Sequence, residues 1–225
     1  AYFGSDLVGT FTNTGNINGT DSEYGLTIEN DMMGDFINMG DISGTGPKDI
    51  YIGGDFAGNM TQPVATEVAV GGTAELSSRT FSVYVQGSVA DGFTWDAIDA
   101  GTAVDLTGYT LEDNSLLVSF DDTASDADTL TLTATIDGDV SELGGDTGLA
   151  NAIQDVIGGG GIPAELQELR DLLFMATSAD EIAAILEDFE PSDGGTQSAF
   201  GNTQLFSDLL TGRLGPNSAN EFSGF

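Results

Sequence analysis

The chain has 225 residues, 37 acids against four bases (Lys48, Arg79, Arg170 and Arg213), a formal charge of −33, and neither cysteine nor histidine. So acidic a surface repels nucleic acid and anionic lipid headgroups and suits a salty medium. The missing residue types exclude disulfides, thiolate zinc, a cysteine nucleophile and the usual histidine base of a triad. No run of 18 apolar residues offers a membrane-spanning helix.

Taken in order, residues 1–8, AYFGSDLV, lead straight into a repeat without a helix or polar cap. Ala1 suits a mature end left by cleavage after small residues. Residues 9–20 read GTFTNTGNINGT and residues 34–45 read GDFINMGDISGT, 25 positions apart and identical at seven of twelve places. A spacing of 20 to 50 residues is the signature of stacked repeats. The short apolar alternations suit strands of three or four residues with every second side chain inward. Asn13 and Asn38, at equivalent places, are expected to stack and bond the turn backbone. Residues 54–60, GDFAGNM, read as a degenerate third rung, and Gln62-Pro63 is expected to break the register. Antiparallel hairpins with glycine turns are the other reading of the same alternation. A copy so far along the chain favours stacking over adjacent pairing.

Strands continue beyond Pro63. Phe81, Val83 and Val85 share one face, and residues 129–136, TLTLTATI, place Leu130, Leu132, Ala134 and Ile136 inward with threonines outward. Trp95 reads as a core or cap residue. Near residue 147 the period becomes helical. Leu149, Ile153, Val156 and Ile157 form one stripe, ended by the glycines at 158–161. Pro163 opens a second helix with Leu166, Leu169, Leu172 and Leu173 inward, and Ser178-x-x-Glu181 is a capping box for a third. A fourth stripe carries Leu205, Phe206, Leu209, Leu210 and Leu214. The expected layout is solenoid rungs over 1–62, a β-rich closing region over 63–146, helices over 147–214 and a polar tail over 215–225. The fold class is mainly β: a short right-handed parallel β-solenoid, a β-rich closing region and a C-terminal α-helical segment.

The order of parts resembles a bacterial autotransporter passenger. The two glycine-asparagine rungs look like that family's β-solenoid repeats. The stretch from Arg79 to Ile136 resembles the autochaperone junction that closes such solenoids. Residues 175–214, ending in Phe206, Leu210, Arg213 and Leu214, are similar to the helical linker before the membrane barrel. The resemblance implies secretion and a place at the bacterial cell surface. The barrel's alternating strands are expected to be absent, through processing or loss, so export through the chain's own pore is not carried over.

Chemistry on offer is sparse. Asp121, Asp122, Asp126 and Asp128 cluster in DDTASDAD. The simpler reading is a solvated acidic turn; the other is a calcium site with oxygen ligands. Neither an EF-hand loop nor a phosphate loop is present, and no other cofactor is implied. Glycan-cleaving β-helix enzymes need placed carboxylates, for which Asp121 and Asp128 are the candidates, but the chain reads as a non-enzyme. A stack of so few rungs with an uncapped first one invites another chain. The expected role is therefore extracellular and structural: a subunit of a cell-surface filament, stacked end to end on copies of itself. Tyr2, Phe3 and Leu7 at the open end, and Phe222 and Phe225 in the tail, are the expected interface. The alternatives are a passenger fragment of an adhesin binding a surface or glycan, and a glycan-active enzyme.

Overall fold

The computed structural model describes residues 1–136, 157 and 164–189. The chain divides into two compact units, Ala1–Ala179 and Asp180–Phe225.

The first unit is a stack of parallel coils. The first coil holds β1 (Tyr2–Phe3), β2 (Leu7–Val8), β3 (Phe11–Asn13) and β4 (Ile17–Asn18); the second holds β5 (Leu26–Ile28), β6 (Met32–Met33), β7 (Phe36–Asn38) and β8 (Ile42–Ser43). Three-sided coils follow: β9 (Ile50–Ile52), β10 (Phe56–Ala57) and β11 (Met60–Pro63); β12 (Val68–Val70), β13 (Thr73–Glu75) and β14 (Thr80–Tyr84); β15 (Thr94–Ala100), β16 (Ala103–Asp105) and β17 (Thr110–Asp113). Each side is one parallel sheet. The first runs β1-β5-β9-β12-β15, the second β2-β6-β10-β13-β16 and the third β3-β7-β11-β14-β17, while β4 pairs with β8 alone. Two antiparallel strands, β18 (Val118–Asp121) and β19 (Thr129–Ile136), extend the first sheet in the order β15-β19-β18.

The stack therefore continues past residue 62 through two coils expected to belong to the closing region. Gln62 and Pro63 do not break register: they pair in sequence with Val83 and Tyr84. On its other side β11 pairs with β7 only at Met60 and Thr61. The missing proline N–H thus falls beyond that ladder and no bond is lost. The repeat fades because coil length varies. Tyr2 faces Thr27 and Leu26 faces Ile50, two steps of nearly equal length. Ile50 then faces Val68, a much shorter step, and Val68 faces Ile98, a much longer one. The short coil drops the fourth side and turns directly from β11 to β12, with Ala65 at φ 65°. The long one makes an excursion between β14 and β15.

Inward side chains form ladders. Phe11, Phe36, Met60, Phe81 and Leu111 follow one another in register. Phe11 and Phe36 stack with centroids 5.1 Å apart, and Phe36, Met60 and Phe81 are fully buried. The expected asparagine ladder is present. Asn13 Nδ2 donates to Asn38 Oδ1 and to the Gly15 carbonyl, both at 2.8 Å, while the Gly15 and Gly40 amides donate to Asn13 Oδ1 and Asn38 Oδ1. These bonds satisfy turn amides that the narrow interior hides from water. Gln62 ends the polar ladder, its Nε2 donating to the Thr66 and Ala97 carbonyls.

In the closing strands Leu130, Leu132 and Ala134 are fully buried, as their alternation implied, and Trp95 is a core residue stacked on Phe93. Helix α1 (Ala164–Met175) begins directly after Pro163 and is tied to the β region. Ser115 Oγ donates to the Phe174 carbonyl, and the Ser88 amide donates to Asp171 Oδ1. Leu169 and Leu173 are buried, but Leu172 is exposed, contrary to the expected stripe; successive residues project about 100° apart around a helix, so Leu172 turns away from the face of Leu173. Helix α2 (Ala179–Phe189) begins directly after Ser178. The expected first and fourth helices lie outside the described residues, apart from Ile157, which is helical.

Candidate docking surface at the first coil

The two ends of the stack differ. At the far end, β19 occupies the place beside β15 where another parallel strand would add, and β18 covers β19. The Ala100 and Val104 amides donate to the carbonyls of Asp128 and Ala127 at 2.8 and 2.9 Å, so the 122–128 turn closes over β15 and β16. At the near end nothing comparable exists among the described residues. β1, β2, β3 and β4 are each the terminal strand of their sheet. Their outer edges carry alternating N–H and C=O groups, the template on which a further strand adds.

The side chains on this coil are unevenly covered. Tyr2 is 67 % exposed and Val8 79 %. Phe3 is half-buried, edge-on to Phe11 at 6.2 Å, and Leu7 is half-buried against the core. Of the interface residues expected from sequence, Tyr2 is thus presented outward while Phe3 and Leu7 serve mainly as the floor of the first coil. Phe222 and Phe225 lie outside the described residues. Val8 and Gly15 belong to this surface too; Gly15 recurs as Gly40 in the second repeat, while Val8 does not stand out in the sequence. Residues 1–20 contain one acid, Asp6, and no base, in a chain of net charge −33. The return to β5 adds Asp21 and Glu23, so this end shares the negative charge of the rest of the molecule.

The aspartates of the 121–128 turn do not gather round a common point. Asp121 Oδ1 accepts bonds from the Thr123 hydroxyl and amide, which hold its carboxyl below the usual range. Asp126 Oδ1 accepts the Asp128 and Thr129 amides. Asp122 Oδ2 accepts the Tyr109 hydroxyl at 2.5 Å. Each of these carboxylates is spent on its own turn or neighbour, and among the described residues no group of three or more acids is placed to hold a metal ion. Two adjoining hollows of about 300 and 380 Å³ lie beside the step where the fourth side ends, sharing Pro63, Val64, Ala65 and Gln86. Asp41 and Asp49 line the second, and burial pushes the Asp49 carboxyl up. Asp121 and Asp128, the carboxylates considered for catalysis, line neither hollow.

The Tyr109–Asp122 bond carries a pH prediction. Burial, then the Asp122 hydrogen bond and charge, push the Tyr109 hydroxyl well up from its ordinary value. The unfolded chain gives up this proton near pH 10 and the folded one retains it. The associated stability is full below about pH 10 and is lost as pH rises beyond it. Tyrosinate absorbance should show Tyr109 ionising only with alkaline unfolding, a late phase that Tyr109→Phe removes. Ionisation of all five tyrosines in the native state near pH 10 would refute it.

No family model, curated protein or solved structure matches the chain.

Proposed function

We propose that this chain is an extracellular structural protein that assembles with copies of itself, its first coil forming one contact of a cell-surface filament. The observation that carries this reading is the stack of parallel coils, whose first sheet is closed by β19 and β18 beyond β15 while the first described coil ends on four strand edges. Solenoids stay monomeric when both terminal coils are capped, and a bare edge recruits another strand. The outside location rests on the resemblance to autotransporter passengers, on the absence of cysteine and on a surface suited to salt water. No catalytic role is assigned. In this reading a second contact, for which Phe222 and Phe225 are the candidates, turns a pair into a polymer.

Electron microscopy of the native protein at low and high salt tests it. Fibres should appear, and should be favoured by salt, because about 0.5 M salt shortens the range of repulsion between −33 chains to a few ångströms. Monomers alone at every salt concentration would sink the reading and leave an adhesin passenger as the better one.

A further inference from the structure

The varying coil length leaves a notch in the side of the stack. The first two coils carry a fourth side, β4 and β8, but the third turns from β11 to β12 through Val64, Ala65 and Thr66 and skips it. One edge of β8 is in use: the Ile17 and Gly19 amides donate to the Asp41 and Ser43 carbonyls, both at 2.8 Å. Successive residues of a parallel strand turn their polar groups to opposite edges. The Ile42 N–H and C=O therefore point to the other edge, on the side of the third coil. Among the described residues no strand pairs with β8 there, and Ile42 has no backbone partner. Gln86 of the fourth coil reaches back past the third, its Nε2 donating to the Met39 carbonyl at 2.6 Å, just before β8. The space between is the pair of adjoining hollows, about 300 and 380 Å³, at the lower end of the range that holds small ligands. The notch lies within the stack and is unaffected by what meets the chain at either end.

We infer that this notch docks an extended peptide segment of a partner protein, which adds to the β4–β8 sheet as its missing third strand and places a lysine or arginine side chain against Asp41 and Asp49. The free N–H and C=O of Ile42 are the donor and acceptor that one residue of an extended chain matches, so a backbone fits where a simple amine would leave both unmet. Ile42, Pro63 and Val64 supply apolar walls for its neighbouring side chains. The charge of the lining selects the rest. Asp41 and Asp49 line the notch and no base does. Lys48, next to Asp49 in the chain, is turned to Glu67 and Asp99 instead. Asp49 Oδ2 accepts the Glu67 amide at 3.2 Å, yet burial still pushes its carboxyl up. A cation in the notch relieves that cost, and an acidic segment adds to it.

The probe is acetyl-Val-Lys-Val-amide, titrated into nitrogen-15-labelled protein at about 0.15 M salt, where long-range attraction to the acidic surface is screened. Acetyl-Val-Glu-Val-amide and butylamine are the controls. The lysine peptide should shift the Ile42 and Ser43 amides saturably, with the millimolar affinity of so short a ligand, and should slow exchange of the Ile42 amide. The glutamate peptide should bind at least tenfold more weakly, and butylamine should leave the Ile42 amide unmoved. Asp49→Asn should weaken the lysine peptide about fivefold or more. Asp41→Asn, at an exposed site that does not threaten folding, should weaken it in the same direction. Glu112→Gln, on β17, should change nothing. Equal binding of the lysine and glutamate peptides would overturn the inference. So would shifts spread over the acidic surface and indifferent to Asp41→Asn and Asp49→Asn, which would mean ion pairing without a site. An Ile42 amide already slow to exchange and unmoved by peptide would place a segment of the chain itself in the notch and also overturn it. None of these outcomes bears on whether fibres form, so the assembly reading stands or falls separately.

Discussion

Replacing Gly34 with alanine is expected to lower folding stability by about 3 kcal/mol or more, a fall of roughly 6–12 °C in melting temperature for a chain of this length. Two costs add. The backbone at Gly34 has φ 145°, a region that L side chains rarely enter, and a Cβ there would come well under 3.0 Å from the Gly9 carbonyl oxygen. Neither atom is free to retreat. The Gly9 amide donates to the Met33 carbonyl at 3.0 Å, and the Gly34 amide donates onward to the Ala57 carbonyl at 2.9 Å, so the corner is bonded on both sides. Relief would require opening two coils. Thermal unfolding followed by circular dichroism measures the effect, with Gly15→Ala as the paired control. A shift below about 2 °C for Gly34→Ala would mean that the corner spreads cheaply and that coil spacing is not set by its glycines.

The same contrast shows what the residues disclose and what they conceal. The first two coils are legible because their lengths nearly agree, so Phe11 and Phe36, Asn13 and Asn38, and Gly15 and Gly40 recur at a fixed interval. The asparagine ladder follows from that recurrence, since an inward amide at a turn has one economical use. Val68 and Val70, and Phe81 and Val83, are equally clear as strand residues. Their parallel partners are not. Pairing between coils depends on the length of chain that returns, and the return from Ile50 to Val68 is far shorter than the return from Val68 to Ile98. Two coils therefore look like a separate closing region. At the surface, position along the chain cannot tell the exposed Tyr2 from Phe3 and Leu7, which pack against the core. The four aspartates of the 121–128 turn are close in sequence, and closeness misleads: short side chains in turns bond the nearest amides before they can share an ion.

Phe36→Ala is expected to cost about 3–5 kcal/mol, the usual range for deleting a buried ring. Phe36 has no exposed surface, stacks on Phe11 and lies in register with Met60. A hole there cannot collapse easily, because the coils before and after it are held by parallel ladders on every side. Since each coil contacts only its neighbours, the loss should also loosen the stack at that level, so that amide exchange speeds up in the first coil before the last. Phe11→Ala removes the same ring from the terminal coil, where Phe11 is only half-buried. Its cost in the monomer should be about half as large, in proportion to the apolar area withdrawn from water. Measured at a salt and protein concentration where copies associate, the gap between the two variants should narrow, because a docked partner covers the face on which Phe11 sits. A gap that stays the same in monomer and assembly would show that the first coil remains wet, and that the contact between copies lies elsewhere.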